Sequence, residues 1–382
     1  ESGKTSMERT LEGMGEALEI RAGIASDELK AKAGQNEFTG MTLSEMAREY
    51  MRVKGVGLQG WDKTRIVGAA LQRDVTETTF NSVVADFPAL LADVANKSLL
   101  RGYMEAPETW RGFCSTGSVT DFKTNSRPNM SMFPDLETVA ENGAFPLKAV
   151  TDWAESITAS TKGARFSITR QALINDDLSS FTKVPMYMGR AAARAVGDDV
   201  YAILLTIQTM AEDSNPLFDA ANHNNVQTAG APSVSTVDEI RVAMGTATDP
   251  SGATLNLRPA KLVCGLGYEG TAATLRNAQF DPDTADGSGN TSGNRPNWVA
   301  GTFDVIADAR IDADANATNW FMLADPAMFD GIEVAFLNGV ETPYLEQRDG
   351  FTIDGTEYKV RLDYGVAALD WRTIQLNGTA PI

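Results

Sequence analysis

Residues 166–205, FSITRQALINDDLSSFTKVPMYMGRAAARAVGDDVYAILL, constrain the chain more than any other stretch: they read as a strand, a capped turn and a long helix. Phe166 and Ile168 alternate with polar neighbours, the period of a half-buried strand. Asn175, Asp176 and Asp177 then offer N-cap oxygens. Pro185 suits a first helical turn, where its missing N–H costs nothing. Met188, Ala192, Val196, Val200 and Leu204 recur at every fourth position and predict one apolar stripe, with Arg194 and Asp198 paired on the polar side. Such a helix is a spine for other elements to pack on. It carries architecture and no chemistry, which points to a building block rather than an enzyme.

The flanking sequence divides unevenly. Residues 1–60 are rich in Glu, Gly, Lys and Met, with helical patterns over Met7–Ile20 and Thr42–Val53. Thr42 and Glu45 make a capping box for the second. Both are short and polar, so they predict an arm that draws its burial from neighbours. From Trp61 to Met104, the residues Phe87, Leu90, Leu91, Val94 and Leu99 predict a buried helix. Residues 110–165 have strand-like ends, Trp110–Val119 and Ala149–Ile157, around a polar middle holding Pro128, Pro134, Gly143 and Pro146. This is a long two-stranded excursion. A ribbon of that kind is marginal alone in water, so it is expected to lie on another chain. Residues 231–343 mix short strands (Lys261–Cys264, Phe303–Ile306, Trp320–Leu323) with helices near Val237–Thr246 and Thr271–Ala278, and a Gly, Ser and Asn loop over Pro282–Asn297. They predict an α/β lobe. Phe351–Leu376 returns as strands.

Charge and cysteine use narrow the function. Among 382 residues, 51 are acidic and 33 basic, a net charge of −18 that argues against a surface gripping phosphates. No run of 18 apolar residues exists to span a membrane. Cys114 and Cys264 are far apart and in no ligand-like spacing; they predict two half-buried thiols, with neither a zinc site nor a disulfide framework.

No motif assembles into a catalytic constellation. Gly265, Gly267 and Gly270 in GLGYEG follow the strand KLVC and open a helix, the order of a dinucleotide fingerprint. The carboxylate such a site needs about 20 residues on would fall in the loop around Asp286. No strand is expected there and no βαβ unit nearby, so the glycines read as a tight turn. Gly3, Lys4 and Thr5 lack the strand and first glycine of a phosphate loop. Asp281, Asp283 and Asp286 lack the glycine and glutamate of a calcium loop. Asn290, Asn316 and Asn377 begin glycosylation sequons with no context to support their use. His223, the single histidine, sits in the polar turn AANHNN and reads as structural. No catalytic residue, cofactor or metal is expected.

Taken together, ITRQALINDDLSSF (168–181), MGRAAARAVGDDVYAIL (188–204), PLFDAANHNN (216–225) and YKVRLDYGVAALDWR (358–372) resemble tailed-phage major capsid proteins of the HK97-like fold, most closely the Mu-type major head subunits and the protease-fused capsid proteins. The resemblance runs from about Trp61 onward. It implies an α+β fold with an N-terminal arm (1–60), a first P-domain part (61–114), an E-loop (115–165), a P-domain spine helix (166–230), an A-domain (231–340) and closing P-domain strands (341–382). It implies self-assembly as hexamers and pentamers into an icosahedral shell that encloses double-stranded DNA without binding it specifically. Lys123, Arg127, Lys148 and Lys162 would be E-loop cations meeting the acidic bulk of a neighbour. Further partners implied are portal, scaffold or protease, and decoration proteins, with no membrane; the setting is the virion, assembled in the bacterial cytoplasm. Maturation proteolysis would account for a chain starting at Glu1. Two alternatives stand beside this reading: an encapsulin-like nanocompartment shell, and a nucleotide-binding enzyme using the Gly265, Gly267 and Gly270 turn.

Overall fold

The computed structural model describes residues 6–71, 87–130, 152–169, 175, 178–282, 295–349 and 355–381. Along the chain, helices α1 (Ser6–Ala22), α2 (Asp27–Ala31), α3 (Leu43–Val53), α4 (Lys63–Leu71) and α5 (Phe87–Met104) come first. Strands β1 (Ser115–Val119), β2 (Asn125–Met130), β3 (Asp152–Ile157) and β4 (Ser160–Thr169) lead to the long helix α6 (Leu178–Leu205). Then follow β5 (Val226–Gln227), α7 (Val234–Gly245), β6 (Lys261–Cys264), α8 (Leu266–Asn277), β7 (Asp304–Ala307), α9 (Ala309–Asp312) and β8 (Trp320–Leu323). Strands β9 (Ile332–Leu337), β10 (Tyr344–Asp349), β11 (Gly355–Ala368) and β12 (Ile374–Asn377) close the fold. It is an α+β protein of two compact units. Unit 1 comprises 1–107, 161–194 and 341–362; unit 2 comprises 108–160, 195–340 and 363–382.

Unit 1 is built on helices. The capping box forms as the sequence predicts: Thr42 N–H donates to Glu45 Oε2 at 2.8 Å and Glu45 N–H donates to Thr42 Oγ1 at 3.3 Å. It starts α3 so that Leu43, Met46, Ala47, Tyr50 and Met51 face one way, and all are buried. They share one core with Leu11, Met14 and Leu18 of α1 and with Phe87, Leu91 and Val94 of α5. In the segment 1–60, expected as an arm that draws its burial from neighbours, α1 and α3 thus find burial on α5 of the same chain. In this unit β10 pairs antiparallel with β11 from Thr356 to Arg361, β4 also pairs β11, and Phe166 stacks on Tyr358 with ring centroids 5.0 Å apart.

The spine helix departs from its expected start and face. It begins at Leu178, so Pro185 lies inside it rather than in its first turn, where it removes one backbone bond. Among the described positions of its unit 1 portion, Pro185, Gly189 and Ala193 are buried, while Met188 and Ala192 are half-buried. Gly189 and Gly102 of α5 explain the shift. A Cβ at Gly189 would lie 2.1 Å from the Leu99 carbonyl oxygen, and one at Gly102 would lie 2.1 Å from that of Met186. The two backbones touch, and only glycine permits it.

Unit 2 holds a five-stranded sheet in the order β5-β12-β8-β6-β7. Leu262, Cys264, Trp320 and Met322 from its strands pack with Val237 and Ile240 of α7 and Ala272 and Leu275 of α8. Elsewhere in the unit β1 runs parallel to β9, and β9 is antiparallel to β11 from Tyr364 to Ala368. Val196, Val200 and Leu204, the unit 2 part of the predicted stripe, are buried. Asp198 pairs with Arg310 Nε at 2.7 Å rather than with Arg194. The Arg310 guanidinium also reaches Glu108 and Asp308, both nearly buried. Burial pushes the Glu108 carboxyl above its ordinary value in spite of Arg310.

Candidate functional site: an anchored hairpin

The glycine turn is already filled by the chain itself. Contrary to the sequence expectation, β6, α8 and β7 do form a βαβ unit, with β6 and β7 parallel. The parallel pair escaped prediction because residues 278–303 separate α8 from β7, far longer than the usual connection. At the N-terminus of α8, where a fingerprint would seat a pyrophosphate, Asp312 accepts from the backbone N–H of Leu266 at 2.5 Å and of Gly267 at 3.3 Å. A carboxylate there satisfies the helix's exposed donors and repels a second anion.

The other sequence candidates resolve in the same way. His223 is buried, with Nδ1 3.1 Å from the Leu217 carbonyl, Nε2 2.8 Å from Asp213 Oδ2, and its ring stacked on Trp371 at 4.1 Å. Cys114 and Cys264 are fully buried rather than half-buried, and burial pushes the Cys264 thiol up to about 12. Asn377 is a buried residue of β12. Among the described residues no group of three or more His, Cys, Asp or Glu could hold a metal ion, and no helix is long and apolar enough to cross a membrane. Residues 3–5, Asp283, Asp286 and Asn290 lie outside the described residues.

What the structure builds with care is the root of the predicted hairpin. Strands β2 and β3 pair antiparallel from Asn125 opposite Ile157 to Met130 opposite Asp152. Pro128 donates nothing to this ladder, as an edge strand allows. Each strand is fastened to the body of unit 2. From β2, Arg127 forks onto Glu333 of β9: Nε donates to Oε2 at 2.8 Å, Nη2 to Oε1 at 2.7 Å, and Nη2 also to the Ser118 carbonyl at 3.0 Å. Glu333 is buried, and it reaches Arg127 across β1 because residue 117 is glycine; a Cβ there would lie 1.8 Å from Oε1.

The β3 side is held by a second buried carboxylate. Glu155 accepts from the backbone N–H groups of Ala211 and Glu212, both at 3.0 Å. Glu212 in turn receives the fork of Arg372, at 2.6 and 2.9 Å, and Arg372 also bonds Asp370 at 3.1 Å and the Thr248 carbonyl at 2.9 Å. The Arg372 guanidinium lies 5.1 Å from the ring of Trp153 in β3 and 4.3 Å from that of Trp371. A guanidinium set against two indoles gains cation–π attraction in a site already shielded from water. Bidentate, partly buried pairs of this kind are worth more than surface ion pairs.

Of the three predicted assembly cations among the described residues, Lys123, Arg127 and Lys162, the structure brings Arg127 into this anchor. Lys123 is exposed in the turn between β1 and β2, Lys162 is exposed in β4, and Lys148 lies outside the described residues. Sequence reasoning missed Glu155, Glu333 and Arg372. The signal was present: Glu333 in IEVAFL is a lone carboxylate in an apolar strand, and such a group demands a partner.

Against curated protein sequences the chain has no match. Among solved structures it is similar to one titled Mycobacterium phage Bobi, at 13% identity and a TM-score of 0.44, covering 72% of this chain and 90% of that one. It is also similar to the capsid of cyanophage P-SCSP1u, at 10% identity and a TM-score of 0.46, covering 81% and 94%. A third is the capsid of Myoviridae phage XM1, at 10% identity and a TM-score of 0.43, covering 71% and 90%. The family assignment rests on sequence instead. The model of a family described as phage capsid protein matches residues 154–377, from the returning strand of the hairpin to the last strand of the β8–β12 sheet. That is more than half of the chain, which therefore belongs to the phage capsid protein family.

Proposed function

We propose that this chain is the major capsid protein of a tailed phage, a structural subunit and not an enzyme, built on the HK97-like plan. In this reading β2 and β3 form the root of the E-loop, α6 is the spine helix and the β6-α8-β7 region belongs to the A-domain. Hexamers and pentamers of the chain close an icosahedral shell around double-stranded DNA in the bacterial cytoplasm, together with portal, scaffold or protease, and decoration proteins. Each hairpin lies over a neighbouring subunit, and Lys123, Lys148 and Lys162 meet its acidic surface. With few cations presented to it, the packaged DNA is enclosed rather than gripped.

The observation that carries this reading is the anchored root. A two-stranded ribbon is marginal by itself, yet here the Arg127–Glu333 pair on β2 and the buried Glu155 carboxylate, bonded to two backbone N–H groups, on β3 fix both of its strands to the rest of unit 2. Fixing a ribbon's direction pre-organises it for a partner and lowers the entropic cost of docking. Many such contacts, each modest, then add up around a closed shell.

Replacing Arg127 by alanine tests the role of the anchor. The variant loses charge-assisted hydrogen bonds and leaves Glu333 buried without its guanidinium, a cost of about 2 kcal/mol to unit 2. By sedimentation velocity, wild-type chain should form large homogeneous particles, and the folded variant should assemble about tenfold less. Equal particle yields from both would remove the anchor from the account of assembly.

A further inference from the structure

Unit 1 gathers positive charge in a way the composition of the chain makes conspicuous. Arg21 at the end of α1, Arg101 in α5, and Lys183 and Arg190 in α6 line one cavity of about 500 Å³, with Glu105 the single acid among the described residues on its wall. The surrounding chain carries 51 acidic and 33 basic residues. The arginines are held in place by hydrogen bonds to backbone carbonyls and to Glu105. Arg21 donates to the Met41 carbonyl at 2.5 Å, Arg101 to Glu105 at 2.6 Å and to the Gly23 carbonyl, and Arg190 to Glu105 at 3.5 Å. One carboxylate is thus shared by two guanidiniums, each of which has five N–H donors. The floor is rigid, because α5 and α6 are in backbone contact at Gly102 and Gly189 beside it.

We infer that this cavity is a socket for an acidic segment of a second copy of the chain. The inference rests on the capsid reading above and adds a specific surface to it. Charge complementarity selects the occupant, since a copy with net charge −18 carries 51 acidic residues against 33 basic ones. Duplex DNA fits less well. Tracking a phosphate backbone takes cations spaced along a stripe, whereas these converge on one concavity with a carboxylate in its wall. Planar guanidiniums favour carboxylates approached in pairs of hydrogen bonds, which gives the socket orientation as well as attraction.

The double substitution Lys183→Glu with Arg190→Glu tests the socket, with folding followed by circular dichroism and thermal denaturation. Its assembled fraction should fall about tenfold in roughly 0.1 M salt, and the gap from wild type should narrow near 1 M, where the screening length drops to about 3 Å. A short soluble poly-glutamate peptide should inhibit wild-type assembly at low salt. If the reversed variant fails to fold, Lys183→Gln with Arg190→Gln removes charge without reversal and should show the same direction of change. Wild type and folded variant assembling equally, with no competition by the peptide, would overturn the socket and leave the capsid reading standing. Binding of a short DNA duplex by wild type and not by the variant, with assembly unchanged, would overturn it in favour of a nucleic-acid contact. Wild-type chain that forms no particles would instead sink the capsid reading itself.

Discussion

Arg372→Met should destabilise unit 2 by about 3–5 kcal/mol near neutral pH, the usual cost of removing one partner from a buried ionic cluster. The side chain is 5% exposed, and Glu212 and Asp370 face it with 13% exposure each. Methionine has a similar reach and keeps contact with Trp153 and Trp371, so the loss isolates charge and hydrogen bonding from packing. The pH dependence follows from Asp370. Burial holds its carboxyl above the ordinary value even beside Arg372. A raised folded-state value means that the contribution to stability is full below the ordinary carboxylate range and is lost as pH rises through the raised one. Without the guanidinium to favour the charged form, the value rises further. The deficit of the variant should therefore be largest near neutral pH and should narrow as pH falls into the carboxylate range, as the stranded Asp370 carboxyl takes up a proton. Urea denaturation at several pH values measures this directly. A deficit that stays constant with pH would mean that shape, and not charge, is what Arg372 supplies. Because Glu212 N–H also holds Glu155 of β3, the same variant should loosen the hairpin root, visible as faster amide exchange in β3.

Gly189→Ala should cost about 3 kcal/mol, the upper end of ordinary overpacking. The new Cβ would lie 2.1 Å from the Leu99 carbonyl oxygen and 2.8 Å from the Tyr103 nitrogen. Neither is a side chain that can turn aside. The helices α5 and α6 must move apart by more than an ångström, which opens the contact at Gly102 as well. Helix propensity works the other way, since alanine is favoured over glycine by about 1 kcal/mol in a helix interior. Gly270 of α8 separates the two effects: nothing lies within 4 Å of its Cβ position, so Gly270→Ala should gain about 0.5–1 kcal/mol. Denaturant midpoints of the two variants should move in opposite directions. A shared direction would show that the close helix contact does not govern the outcome.

The elements that sequence reveals are those whose signal is local. Thr42 and Glu45 mark the start of α3 through contacts three residues apart, and the apolar residues of α5 repeat at helical spacing, so both helices are legible. The buried face of the spine helix is legible only where it is apolar, at Val196, Val200 and Leu204. Where the helix packs through Gly189 and Ala193, hydrophobicity points to the wrong side, because small residues mark close contact by what they lack. Residues 1–60 read as an arm since their polar surface dominates the composition, and the partner of the apolar stripes of α1 and α3, Phe87 to Val94 of α5, is remote in sequence. The hairpin was legible as alternating ends around a polar middle. Its anchor was not: Arg127 and Glu333 are 206 residues apart, and Arg372 and Glu212 are 160 apart. A cation read singly looks available to a neighbour, and only the fold reveals that Arg127 is held by its own chain.

We propose that this chain closes shells of itself. The most direct measurement is negative-stain electron microscopy of the purified full chain over a range of salt and protein concentrations. Uniform closed icosahedral particles of phage-head size are the predicted result, and fewer of them from Arg127→Ala at equal protein. A monodisperse small oligomer under every condition would contradict the claim.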